Sequence, residues 1–204
     1  MIVIIDYGSG NLGSVANSME RIGLRYKISG NASVLKKARM LILPGVGAAK
    51  KGMSNLKARK LDQVIIEEIR IGKPFLGICL GMQLLFERSE EGNVECLGIF
   101  EGEVIKFKKE RKIPQIGWNN VAKVQFHNFK IKKIFSDIPD NSYFYFVNSY
   151  YCLPKDKSII AGISKYGERL VSVIVKDNIV ATQFHPEKSG QAGMQFLKNW
   201  RNLC

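Results

Sequence analysis

Histidine is nearly missing from this chain: two among 204 residues, His127 and His185. Any chemistry that needs an imidazole therefore has two candidates and no more. Cysteine is scarce and unpaired. Cys79, Cys96, Cys152 and Cys204 contain no C-x-x-C pair, which argues against a zinc site or a disulfide framework and leaves each to be read as a thiol. No metal is expected. Long apolar runs are also missing. None approaches the roughly 18 residues of a membrane helix, and the opening MIVII is cut at once by Asp6, unlike a signal peptide. A cytoplasmic protein without membrane contact is expected. Acidic residues are short as well, 18 against 31 basic, for a net charge of +13. The lysine pairs 36–37, 50–51, 108–109 and 132–133 lack interleaved aromatics or a reader module, so no nucleic-acid partner is expected. The excess reads as a solvated basic face, with an acidic partner protein as the alternative.

One further absence settles a tempting motif. Residues 8 to 13, GSGNLG, spell the G-x-G-x-x-G of dinucleotide-binding folds after an apolar run. That site wants an acidic residue about 20 positions on for the ribose. Between Leu24 and Met40 there is no Asp or Glu. No nicotinamide or flavin is expected, and the glycines read as a tight strand-to-helix turn.

The first half alternates short apolar runs with helical spacing. Residues 1–5, 25–29, 40–43 and 75–78 read as strands. Leu12, Val15, Ala16, Met19 and Ile22 read as a helix face, as do Leu61, Val64, Ile65 and Ile69, and 80–87 reads as a helix. This repetition predicts a single α/β domain, 1–204, with a mostly parallel central sheet and helices on both faces. Segments 100–107, 118–125, 142–147, 159–163, 170–175 and 179–184 predict an added antiparallel section. A helix over 192–203 closes the chain.

The segment PFLGICLGMQLLFE, residues 74–87, carries the chemistry. Cys79 sits between a buried strand and a helix, flanked by Gly77 and Gly81: a nucleophile elbow written G-x-C-x-G. Small neighbours are needed because the nucleophile occupies a sharp, strained turn. The helix start favours thiolate, and the Leu80 amide points where an oxyanion would form. Cys96, Cys152 and Cys204 have no such setting. His127, in the polar stretch VQFHNFKIKK, reads as a surface residue. His185 ends a strand and is followed by Pro186 and Glu187, so it can lie beside Cys79 at the carboxyl edge of the sheet. Glu187 can orient its imidazole, giving a Cys79–His185–Glu187 triad. At another strand end, PGVG (44–47) supplies glycines that free a peptide N–H as a second oxyanion donor.

Together, PGVG, GICLGMQ and HPEKS resemble the class I (triad) glutamine amidotransferases, in the family's order and over the whole chain. The subfamily it most resembles, by IIDYGSGNLGSV, PQIGWN and YFVNSYY, is the glutaminase subunits of imidazole glycerol phosphate synthase. The resemblance implies that Cys79 forms a γ-glutamyl thioester and that His185 and Glu187 complete the triad. It also implies an oxyanion hole at Val46, Gly47 and Leu80, and glutamine contacts at Gly45, Gln83, Asn148, Ser149 and Tyr150. It implies no cofactor. The implied partner is a (β/α)₈-barrel cyclase subunit in a heterodimer, facing Asn11, Trp118 and Lys188, that consumes the ammonia for histidine biosynthesis. A paralogous pair supplying ammonia for a surface sugar is the alternative. Another elbow-cysteine hydrolase, a non-enzymatic binding module and a nucleic-acid binder are the rivals from other classes.

Overall fold

The computed structural model describes residues 1–109, 112–124 and 128–203. His127 and Cys204 therefore lie outside the described residues. In chain order the elements are β1 (Ile2–Ile5), α1 (Leu12–Arg21), β2 (Tyr26–Ser29), α2 (Ala32–Lys37), β3 (Met40–Leu43), α3 (Ala49–Ala58), α4 (Leu61–Arg70), β4 (Phe75–Ile78) and α5 (Leu80–Gln83). There follow β5 (Phe86–Ser89), β6 (Val94–Glu95), β7 (Phe100–Lys106), β8 (Gln115–Lys123), α6 (Phe129–Ile134), β9 (Ser142–Asn148) and β10 (Tyr150–Pro154). The chain ends with β11 (Ile160–Tyr166), β12 (Glu168–Lys176), β13 (Ile179–Thr182) and α7 (Gly190–Asn202).

The main sheet has nine strands in the order β2-β1-β3-β4-β13-β12-β11-β8-β9. From β2 to β13 the neighbours are parallel; from β13 to β9 they are antiparallel. The expected antiparallel section is thus partly a continuation of the main sheet, which is parallel over one half only. A separate four-stranded sheet, β10-β7-β5-β6, holds the rest and is mixed, with β5 parallel to β7.

β1, β3, β4 and β13 are buried at every position, as continuous apolar runs must be when both faces are covered. Alternation divides their side chains. Val3, Ile5, Leu41, Leu43 and Phe75 join one core, with Leu56 and Ile65 from α3 and α4 and Phe86 and Phe100 from the second sheet. Ile2, Ile4, Met40, Ile42 and Leu76 join the other, with Val15 and Met19 from α1 and Phe196 and Trp200 from α7. The crossovers therefore place the carboxyl ends of β1, β3, β4 and β13 along one edge, where Tyr7, Pro44, Cys79 and His185 follow.

The helix expected over 80–87 stops at Gln83, and Phe86–Ser89 pairs with β7 and β6 instead. Leu84 and Leu85 are buried in either arrangement; a short apolar run does not distinguish helix from strand. The strand expected over 118–125 begins at Gln115, because Gln115 to Val121 pair residue by residue with Asn148 to Ser142.

Candidate active site

The turn around Cys79 is made of approaches that only glycine permits. Cys79 has φ 53° and ψ −108°, a conformation that costs on the order of 1–3 kcal/mol for a residue with a Cβ. A Cβ on Gly77 would meet the Gly81 carbonyl oxygen at 2.8 Å, and one on Gly81 would meet the Leu43 oxygen at 1.9 Å. A Cβ on Gly45 would stand 2.5 Å from the Leu80 Cβ. β3, β4 and α5 are thereby pressed together. The Cys79 N–H donates to the Thr182 carbonyl at 2.7 Å, which ties the turn to β13. α5 is one turn long, so its dipole is small, and side chains supply most of the local electrostatics.

The GSGNLG turn buttresses this edge. Gly8 and Gly10 have φ of 80° and 110°, and a Cβ on Gly10 would sit 3.3 Å from the Pro44 ring and oxygen. The Tyr7 hydroxyl donates to the Pro44 carbonyl at 3.0 Å, so this turn holds the start of PGVG. Burial, and next the charge of Cys79, push the Tyr7 hydroxyl well above the usual tyrosine range. Asn11 caps α1 through its Oδ1, which accepts from the Ser14 N–H at 3.3 Å.

His185 follows β13 and opens a 3₁₀ turn, Pro186–Lys188. Its backbone N–H donates to the Tyr145 carbonyl at 2.9 Å. The Ser189 hydroxyl donates to the His185 carbonyl at 2.6 Å and accepts from the Tyr145 N–H at 3.0 Å. His185 Nδ1 lies 2.8 Å from Glu187 Oε1, and both side chains are buried. Burial opposes the charged imidazole. The Cys79 charge and hydrogen bond, with the Glu187 hydrogen bond and charge, outweigh it and raise the His185 pKa above that of free imidazole. His185 thus has the Cys79 sulfur and the Glu187 carboxylate as its two neighbours.

Cys79 and His185 open into a cavity of about 420 Å³ that Val46, Gly47, Leu80, Gln83, Asn148, Ser149, Tyr150 and Lys188 also line. A larger groove, about 950 Å³, lies over the second sheet and holds Cys96 but no histidine; volume alone does not select the chemistry. Gly45 does not line the cavity: it serves the packing of PGVG on Leu80. Glu187 stands behind His185. Gly47 has φ 104° with open space around its α-carbon, so this peptide is free of side-chain obstruction.

Both amide hydrogens of Gln83 are engaged, on the Tyr150 carbonyl at 3.1 Å and on Gln183 Oε1 at 3.0 Å. Only its oxygen is left for a ligand. Asn148 donates to the same Tyr150 carbonyl at 3.0 Å, and its buried Oδ1 has no partner among the described residues. Beside the cavity, Trp118 and Ile116 are exposed, and Trp118 and Lys188 both flank the Tyr145 ring, at 6.0 and 5.9 Å.

Two residues at the site escape sequence reasoning. Glu91 lines the cavity, with one oxygen accepting from the Ala49 N–H at 2.7 Å; it sits in the polar turn SEEGN, whose composition signals nothing beyond a turn. Gln183 lies 3.6 Å from the Cys79 sulfur through its Nε2. Its position two residues before His185 was the available signal. Among the described residues, no group of three His, Cys, Asp or Glu side chains could hold a metal ion, and no helix is long and apolar enough to cross a membrane.

Residues 3–202 match the family model of the class-I glutamine amidotransferases. The chain belongs to that family. The amidotransferase is 42% identical over 205 residues to the imidazole glycerol phosphate synthase subunit HisH of Dehalococcoides mccartyi strain CBDB1, covering 100% of this chain and 98% of that one. It is 45% identical over 204 residues to the subunit of the same name from Bacillus cereus strain B4264, covering 100% and 95%. The fold is similar to the structure of PurLQS from Thermotoga maritima, with a TM-score of 0.75 at 17% identity over 98% of this chain and 97% of that one.

Proposed function

We propose that this amidotransferase is the glutaminase subunit of an imidazole glycerol phosphate synthase. The observation that carries the reading is the buried set of Cys79 and His185, both lining the cavity, with Glu187 on His185, in a chain that matches HisH subunits end to end. Cys79 thiolate attacks the side-chain amide carbon of glutamine. Leu80 N–H and a peptide N–H of Val46–Gly47 receive the oxyanion. His185, held protonated by its neighbours, gives its proton to the departing nitrogen, and ammonia leaves. Water then attacks the γ-glutamyl thioester with His185 as base, releasing glutamate and restoring Cys79.

The rest of the cavity suits the other end of glutamine. The Gln83 and Asn148 oxygens and the Glu91 carboxylate are acceptors for an α-ammonium, while the backbone at Ser149 and Tyr150 meets the carboxylate. Gly45 acts indirectly, by seating PGVG. The ammonia acceptor is a (β/α)₈-barrel cyclase subunit in a heterodimer serving histidine biosynthesis. Its docking face includes Asn11, Ile116, Trp118 and Lys188, where large apolar side chains lie exposed beside the cavity. The reaction belongs in the cytoplasm, where a thiol such as Cys79 stays reduced.

The experiment is glutamine hydrolysis by the chain with its own barrel subunit, with and without the barrel's phosphoribosyl substrate. Stimulation by that substrate is expected. Activity that ignores it would redirect the ammonia to another acceptor, such as the amination of a sugar.

A further inference from the structure

Gln183 is fully buried and does not line the cavity, yet it reaches the reacting sulfur. Which end of its amide does so follows from a group that cannot be turned. The Tyr150 carbonyl only accepts, so the Gln83 atom 3.1 Å from it is the nitrogen. That same nitrogen lies 3.0 Å from Gln183, so the Gln183 atom there is the oxygen. The Gln183 nitrogen is then the atom left facing Cys79 Sγ, at 3.6 Å. Turning either amide would set donor against donor or acceptor against acceptor in a buried place, which costs about 1–3 kcal/mol.

We infer that Gln183 is a further catalytic residue, whose side-chain N–H donates to the Cys79 sulfur in its thiolate form, with Gln83 fixing the direction of that donation. The protonated thiol has a different partner, the Val147 carbonyl at 3.7 Å. The sulfur thus has an acceptor for its S–H state and a donor for its S⁻ state, and only the second strengthens with charge. Gln83 lines the cavity and its oxygen is open to a ligand. A substrate ammonium on that oxygen would polarise the chain of amides toward the sulfur. The other titratable groups around Cys79 are His185 after β13, Tyr7 after β1 and Cys152 on β10. Burial pushes Tyr7 and Cys152 up and leaves them neutral, so His185 and Gln183 are the groups that offer the sulfur a donor.

The inference uses the glutaminase reading for its meaning in turnover, but its test does not. In the full chain, alkylation of Cys79 by iodoacetamide is followed against pH through the mass of the Cys79 peptide. Gln183→Met keeps the volume and removes the donor. Its Cys79 should react about tenfold more slowly at pH 7, with the midpoint of the rate moved up about one pH unit, the size of a charge-assisted hydrogen bond. For glutamine, kcat should fall while KM stays within about twofold. If thermal melting shows that variant unfolded, Gln183→Glu replaces it. Its carboxylate brings a like charge, and the midpoint should rise further. An unmoved midpoint in either folded variant overturns the inference. A shifted midpoint in a protein whose unsubstituted form, with its barrel subunit and that subunit's substrate, hydrolyses no glutamine would overturn the glutaminase reading instead.

Discussion

At Cys79 the proposed chemistry coincides with strain, and the residue tolerates its positive φ because glycines surround it. Cys79→Ser should cut glutamine hydrolysis by on the order of 10³-fold, with an unchanged melting temperature in a thermal scan. His185 makes a prediction about pH. Its folded pKa is raised, so the imidazolium persists as pH rises past the free-imidazole value and is lost through the higher folded one. Glu187→Gln removes a cause of that elevation. The alkaline limb of the rate profile should move to lower pH, with kcat down about 10²-fold or more. A limb that stays in place would show that Glu187 does not tune His185. The residues of the proposed triad could be picked out in the sequence, because G-x-C-x-G and H-x-E each imply a geometry. The state of Gln83 was not. That both its hydrogens are spoken for depends on Tyr150 and Gln183, 67 and 100 positions away, a distance no motif spans.

Among the elements, the elbow is the junction on which β3, β4 and α5 depend. Gly81→Ala would drive a methyl into the Leu43 carbonyl and should lower stability by about 3 kcal/mol in urea unfolding. Gly13→Ala, in α1 with nothing within 4 Å of the added carbon, should instead add about 0.5 kcal/mol. A similar loss at both positions would refute the packing account. A second junction ties α2, α4 and the entry to β4. The nearly buried Lys73 pairs with Glu68 and donates to the Leu35 and Lys36 carbonyls at 2.9 and 2.7 Å. Lys73→Met should cost about 3 kcal/mol, because Glu68 is left buried and unpaired. Glu68→Gln in the same chain should recover part of it. In the parallel half, β1, β3, β4 and β13 were readable from their apolar runs, whereas the edge strand β2 is YKIS and only half-buried. The helices α2, α3 and α6 and the strands β5, β6 and β10 were not, since they are short and polar on one side and are settled by what covers them. β5 shows this best: Phe86 and Ser89 are buried as part of the second sheet, and that sheet is invisible until β7 and β10 have paired 102–106 with 150–154.

For the molecule as a whole, the parallel half of the sheet gathers PGVG, the elbow and HPE on one edge, the antiparallel half brings Asn148 on β9, and β10 of the second sheet brings Tyr150 to meet them. The dinucleotide-like GSGNLG turn is part of that edge, with Gly10 and Tyr7 seated on Pro44, and its geometry serves the amidotransferase site. The net charge of +13 has no reader module with it. Duplex DNA should show no mobility shift with this chain at about 0.15 M salt. On the proposed function, Cys79 releases ammonia from glutamine for a partner's use. The measurement closest to it is glutamate and ammonia release from glutamine by the chain with its barrel subunit and that subunit's phosphoribosyl substrate. Equal amounts of the two products are expected, stimulated by that substrate and lost in Cys79→Ser. Undiminished release from Cys79→Ser, or none from the native pair, would contradict that function.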